Sequence, residues 1–184
     1  MRIRQIGDPI LREVSVAVTL DQLKTANVIE LVARMKSILN GIQSISPENG
    51  NALSAPQVGS LLRLIVLRID GQFHVMVNPE FKPLSDRMFE FDEECFSLYD
   101  QRATVQRFYN IEVQYLTENG ETISKNLEGD NAGLVQHEVD HLDGVLFLDR
   151  LQQLGREATS IDEVLSEQPA RLAQVKKMMQ YMIG

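Results

Sequence analysis

The sequence predicts an α+β fold: antiparallel β-sheets around a central helix, with one helix near the N-terminus and another at the C-terminus. Three observations predict it. Apolar residues recur every three or four positions between Asp21 and Ile42. A block of short strand-like segments with turn dipeptides follows, from Arg63 to Leu127. The helical period then returns from Asp130 onward. Strands grouped in the middle, with helices outside them, argue for segregated rather than alternating elements.

The first helix is expected over Asp21 to Ile42, where Val28, Leu31, Val32, Met35, Leu39 and Ile42 form one apolar stripe. Asn40-Gly41 and then Ser46-Pro47-Glu48-Asn49-Gly50 carry stop and loop signals. A loop GNALSAPQVG, Gly50 to Gly59, continues with Pro56 fixing the backbone. RLIVLRI and FHVMVN flank Asp70-Gly71, a dipeptide suited to a hairpin turn. RMFEF, ATVQR, IEVQYL and ETISKNL extend the strands, with Asn119-Gly120 as a second hairpin turn between the last two. Asp130 is the expected N-cap of the next helix and Gly144 its C-terminal stop. A last helix is expected from about Pro169 to Met182, with Leu172, Val175, Met179 and Met182 on one side.

Composition narrows the function. Of the 184 residues, 43% are hydrophobic and 24% charged, a soluble globular mix that fits one domain with a sizeable core. A formal net charge of −8 and the lack of a Lys/Arg run count against DNA or other nucleic acid as a partner. No stretch is apolar and long enough to span a bilayer, and the start MRIRQIGDPILREV lacks the apolar run of a signal peptide. A single cysteine cannot form an internal disulfide, which agrees with a reducing compartment. The cytoplasm is the expected location.

QHEVDHLDG, Gln136 to Gly144, holds two of the three histidines. On a helix, His137 and His141 lie on one face, with Glu138 beside them. In this H-E-x-x-H arrangement the imidazoles hold a metal ion and the glutamate acts as base on its water. Zinc proteases with this motif take a third ligand downstream, but the chain beyond Gly144 contains no histidine, and Asp149, Glu157, Asp162 and Glu163 have no recognisable ligating context. Upstream, Cys95 in FDEECFSLYD offers a soft thiolate. Two histidines and one cysteine leave a fourth position open, as catalytic sites require. Inert packing is the ordinary role of a lone buried cysteine, so its neighbours decide. The third histidine, His74, sits in a strand segment and is read as a packed or edge residue.

GNALSAPQ, EECFS and QHEVDH, in this order, resemble the three motifs of the peptide deformylases, usually written G-apolar-G-apolar-A-A-P-Q, E-G-C-L-S and Q-H-E-x-D-H. IGDPILREVSVAV, VNPEF and HLDGVLFLDR resemble the family's flanking segments, so the likeness runs from Ile3 to Arg150. It implies a single deformylase-like domain over 1–184, with a catalytic core of about 1–150 and a helical extension of about 151–184. It implies removal of the N-terminal formyl group from formyl-methionyl nascent polypeptides, with release of formate. Cys95, His137 and His141 would be the metal ligands, with Fe(II) usual and Zn, Ni or Co able to replace it. Glu138 would move the proton. The Gln57 side-chain amide and the main-chain N–H of Phe96 would hold the oxyanion. Asn51, Ala52 and Gly133 would bound the methionine side-chain pocket. Asp140 is expected either to pair with Arg107 or to be solvated. The ribosome is a further candidate partner, with the last helix as a local contact.

The chain departs from the family pattern near the site. Asn51 stands at a usually apolar position, Ala52 at the second glycine, Ser54 at an alanine, Glu94 at the glycine before the cysteine, and Phe96 at a leucine. Gly133 stands where larger apolar groups are common. Glu94 is the most consequential, since it can turn outward, lean over the site or bind the metal itself. An alternative reading follows from Glu94 and Asn51: a catalytically weak deformylase-like metal protein that captures peptide N-termini. A metalloprotease of the H-E-x-x-H kind is the third.

Overall fold

In the computed structural model, residues 3–183 are described. Two antiparallel sheets enclose a central helix. The N-terminal segment includes a 3₁₀ turn, Pro9–Arg12, capped by Asp8, whose side chain accepts from the Ile10 N–H. Two helices follow, α1 (Leu20–Leu23) and α2 (Ala26–Ile45). Next come β1 (Ala52–Ser54), a 3₁₀ turn Ala55–Val58, β2 (Leu64–Ile69), β3 (Gln72–Pro83), β4 (Met88–Cys95), β5 (Leu98–Phe108), β6 (Asn110–Leu116) and β7 (Thr122–Glu128). The chain ends with α3 (Gly129–Leu142), α4 (Phe147–Gln153), β8 (Thr159–Ser160), α5 (Ile161–Val164) and α6 (Pro169–Ile183). The predicted α+β class is observed.

The five-stranded sheet runs β1-β2-β3-β6-β7 and the three-stranded sheet β4-β5-β8. The β2–β3 hairpin turns at Asp70 and Gly71, both with positive φ (52° and 76°), as the dipeptide predicted. RLIVLRI reads as an unbroken apolar run because β2 is buried on both faces. Leu64 and Val66 join the core against α2, while Ile65, Leu67 and Ile69 join the core against α3. Asn78 interrupts β3 with φ 51°, and its side-chain amide bonds both the N–H and the carbonyl of Val18, each at 2.8 Å. That clamp ties the N-terminal segment to the sheet.

Three predicted boundaries are corrected. The helix expected over Asp21 to Ile42 is two helices. Thr25 is extended (φ −79°, ψ 146°), and its hydroxyl donates to the Gln22 carbonyl, so the first turn closes before α2 begins. Asn40-Gly41 does not stop α2, which continues to Ile45. Gly41 serves close approach instead: a Cβ there would stand 1.9 Å from the Tyr181 hydroxyl oxygen of α6. The N-cap of α3 is Glu128, not Asp130, because β7 passes directly into the helix through Gly129 at φ 56°. Asp130 lies in the first turn. Gly144 follows the end of α3 with φ 71°, as expected of a terminating glycine.

The last helix matches its prediction closely. Val175, Met178 and Met182 are buried against α2, with Leu172 and Met179 partly buried beside them. No helix among the described residues is long and apolar enough to cross a membrane.

Candidate metal centre

Helix α3 lies between the two sheets, and residues Val135 to Leu142 are all buried. Its inner face carries His137 and His141, whose rings stand edge to face with centroids 4.9 Å apart. Cys95 ends β4, where a register shift between Glu94 and Cys95 turns the strand toward the helix. Its Sγ is 3.1 Å from His141 Nε2. One donor atom from each of Cys95, His137 and His141 lies within 4.8 Å of the others, and all three residues are buried. Ligands at roughly 2.0–2.3 Å from a common ion lie about 3–4 Å from one another, so the donor set fits a metal without rearrangement of the backbone.

Sequence reasoning gave no role to Glu93. Its Oε2 is 2.6 Å from His137 Nδ1 and its Oε1 accepts from Arg107 Nε at 2.7 Å. Arg107 donates onward to Asp140 at 2.6 Å, and Arg150 donates to the same carboxylate at 2.6 and 3.1 Å. Asp140 therefore pairs with Arg107, the first of its two expected roles. Strand period places Glu93, two residues before Cys95, on the same face, but does not say that this face buries a carboxylate. Burial opposes ionisation of Glu93, but His137 and Arg107 outweigh it and draw its pKa down to about 2. Burial would likewise lower His137, yet the Glu93 carboxylate raises its pKa well above the ordinary imidazole range. Burial pushes His141 the other way, and the neighbouring charge on His137 adds to that. Nδ1 of His141 is buried without a hydrogen-bond partner.

Glu138 is 3% exposed, and its Oε2 has no hydrogen-bond partner. Burial lifts its pKa to about 7, against the pull of His137 and Ser54. A carboxyl group near that value both accepts and returns protons around neutral pH. Gln57 is held in one orientation. Its Oε1 accepts from the Ser54 N–H at 2.9 Å and the Ser54 hydroxyl at 3.0 Å. Its NH₂ therefore points to Ser97 Oγ (3.2 Å) and Cys95 Sγ (3.6 Å). Ser54, one of the departures, thus adds a donor that fixes the Gln57 amide.

A cleft of about 190 Å³ opens above these groups. Asn51, Ala52, Gln57, Phe96, His137 and Glu138 line it, together with Phe91 and Leu134. Gly133 does not. A Cβ on Gly133 would meet three ring carbons of Phe91 at 2.9 Å, so the ring covers the helix at that point and takes the place Gly133 was expected to hold. Glu94 turns to Arg102, its register partner on β5, and forms an ion pair with it. Its backbone is not in the left-handed region, so the position places no demand for glycine. His74 is a partly buried strand residue of β3 paired with Leu67, remote from the cluster in the sheet register.

A helix-borne histidine pair, a strand-borne thiol and a buried carboxyl of raised pKa are the groups that a metallohydrolase needs. Comparison with known proteins narrows this to one family. The polypeptide deformylase family model matches residues 1–157. A peptide deformylase of Desulfotalea psychrophila is 35% identical over 162 residues, covering 85% of this chain and 90% of that one. The Met-Ala-Ser-bound crystal structure of an Acinetobacter baumannii class I type b peptide deformylase aligns with TM-score 0.73 at 31% identity, covering 82% of this chain and 97% of that one. An inhibitor-bound Arabidopsis thaliana peptide deformylase 1B aligns with TM-score 0.72 at 32% identity, covering 96% and 91%. The chain belongs to the polypeptide deformylase family.

Proposed function

We propose that the protein is a working peptide deformylase, which hydrolyses the formyl amide of formyl-methionyl nascent chains to formate and a free amine. The observation that carries this reading is the unpartnered, raised carboxyl of Glu138 beside the converging donors of Cys95, His137 and His141. These three residues would hold one divalent ion, with Fe(II) proposed in the cell and Zn, Ni or Co as substitutes. When bound, the ion supplies a Lewis acid that acidifies water and polarises the formyl carbonyl.

The chain's own residues do the rest. Glu138 takes a proton from the attacking water and delivers it to the departing amine nitrogen, which closes the proton balance. The Gln57 NH₂, fixed by Ser54, and the Phe96 main-chain N–H would donate to the oxyanion as charge develops. Glu93 holds His137 through Nδ1 and leaves Nε2 for ligation. Asn51 and Ala52 would border the first side chain of the substrate. We read the chain as one domain because α6 shares the α2 core. The cytoplasm would be its place, with the ribosome as the source of substrate.

The weak-binder alternative rested on Glu94 and Asn51; the Glu94 charge is matched by Arg102, and the Asn51 amide donates to the Glu48 carbonyl at 2.9 Å. The protease reading needed a downstream ligand, whereas the thiol that lies with the two histidines is that of Cys95, upstream of them. The test is formate release from formyl-Met-Ala-Ser by anaerobic Fe(II)- or Ni(II)-loaded protein. Release is expected, and no release above the Glu138→Ala background would refute the proposal.

A further inference from the structure

The two proposed oxyanion donors stand on separate loops. Gln57 lies in the Ala55–Val58 turn, and Phe96 in the turn that joins β4 to β5. Among the described residues, the side-chain hydrogen bonds between these loops run through the Gln57 NH₂, to Ser97 Oγ at 3.2 Å and Cys95 Sγ at 3.6 Å. An N–H that turns to an oxyanion gives up one of those bonds, since the amide has only two. A fastener that spares this amide is present in the N-terminal segment. The Arg4 N–H donates to the Gln57 carbonyl at 2.8 Å, and the Ile6 N–H to the Ser97 carbonyl at 2.9 Å. Between them, Gln5 Nε2 donates to the Phe96 carbonyl at 3.0 Å and to the Ile3 carbonyl of its own segment at 3.1 Å. Ile3 is buried, and its N–H donates to the Met182 carbonyl of α6 at 2.9 Å.

We propose that Gln5 is a positioning residue of the reaction: from the N-terminal segment it fixes the Phe96 carbonyl, and so holds the Phe96 N–H in register with the Gln57 amide. This rests on the deformylase reading for the roles of those two donors. Register matters because both donors must meet one oxygen at about 2.7–3.1 Å. A misplacement of about 1 Å can cost about 10²-fold in rate. The main-chain hooks at Arg4 and Ile6 tie the segment to one loop each. Gln5 adds a grip on the donor residue itself. Both hydrogens of its amide are engaged, one on Phe96 and one on Ile3, so the side chain is braced against its own segment. The grip belongs to a side chain, so it can be removed while the main-chain hooks stay.

The test uses Ni(II)-loaded protein, with kcat for formyl-Met-Ala-Ser expressed per bound nickel so that unfolded chains do not count. Gln5→Met keeps the length of the side chain and loses both donors. It is expected to lower kcat about tenfold and to leave KM within about twofold of wild type. Gln5→Glu turns an oxygen toward both carbonyls and should do no better. In a Gln57→Ala background, with one oxyanion donor already gone, Gln5→Met should cost no more than about twofold. A general loss of structure would cost the same in both backgrounds. Hydrogen exchange of metal-free protein gives a readout without catalysis. Exchange in the Cys95–Leu98 turn should quicken about five- to tenfold in Gln5→Met, the scale of one neutral hydrogen bond, while α3 stays unchanged. An unmoved kcat, an equal cost in the Gln57→Ala background, a change confined to KM, or unchanged exchange in the turn would each overturn the inference. Formate release by wild type is scored separately. Its absence refutes the deformylase reading and this inference with it, whereas release with an unmoved kcat in Gln5→Met refutes this inference alone.

Discussion

Glu93 Oε2 lies 2.6 Å from His137 Nδ1, and this single contact joins the donor cluster to a buried line of charge that runs through Arg107 and Asp140 to Arg150. Orienting partners of this kind contribute about 10- to 100-fold to metal affinity. Glu93→Gln is expected to lower metal retention by that factor, read by competition with a chromophoric chelator. Unchanged retention would mean that the contact does not orient the ligand.

The same residue sets the acid limb of stability in metal-free protein. Its folded pKa of about 2 lies below its ordinary 4.5, so its contribution is present above pH 4.5 and is lost as pH falls toward 2. Urea midpoints measured across that range should drop for wild type and flatten for Glu93→Gln.

Glu138 acts with the opposite sign. Its folded pKa, about 7, lies above 4.5, so the fold favours the protonated form and loses stability as pH rises from 4.5 through 7. That interval corresponds to at most about 3 kcal/mol. Metal-free Glu138→Gln should be the more stable protein at pH 7.5, by thermal or urea unfolding, while its activity falls about 10²- to 10⁴-fold. Equal stability of the two at that pH would show that the buried carboxyl carries no such cost.

Gln57→Ala is expected to lower kcat by about 10²- to 10³-fold with little change in KM, because the lost donor acts on developing charge. Ser54→Ala should cost less, since the Ser54 N–H bond to the Gln57 oxygen remains when the hydroxyl's hold on Gln57 and its pull on Glu138 are lost. A change confined to KM in steady-state kinetics would place Gln57 in substrate binding instead.

Gly41→Ala introduces a Cβ where the Tyr181 hydroxyl stands. Helix propensity alone would favour alanine by up to about 1 kcal/mol. The expected result is the reverse, a lowered Tm, with recovery in Gly41→Ala/Tyr181→Leu. A raised Tm in the single variant would mean that α6 yields freely.

Much of this was legible in the sequence. Period-2 and period-3.6 patterns located the strands from Arg63 onward and the last helix, because burial on one or two faces dictates those periods. The cluster of Cys95, His137 and His141 was legible because the two histidines share a helical face and Cys95 is the only thiol in the sequence. What escaped depends on distant partners. Nothing local says that Thr25 bonds Gln22 and splits a helix, or that Gly41 and Gly133 are small because Tyr181 and Phe91 lie against them. Glu93 escaped for a different reason: a charged residue in a strand reads as solvent-facing until the buried cation Arg107 opposite it is known.

The double burial of β2 makes that strand an internal partition. Leu64 and Val66 look into one compartment and Ile65 and Leu67 into another, so the strand is a wall between them. The wall is open at the loop before it: Leu53, Ala55 and Val58, which flank Gln57, pack in the α2–α6 compartment, and Phe96 packs against it. A loosened α6 therefore reaches the cleft through that loop rather than through the helix that carries the histidines.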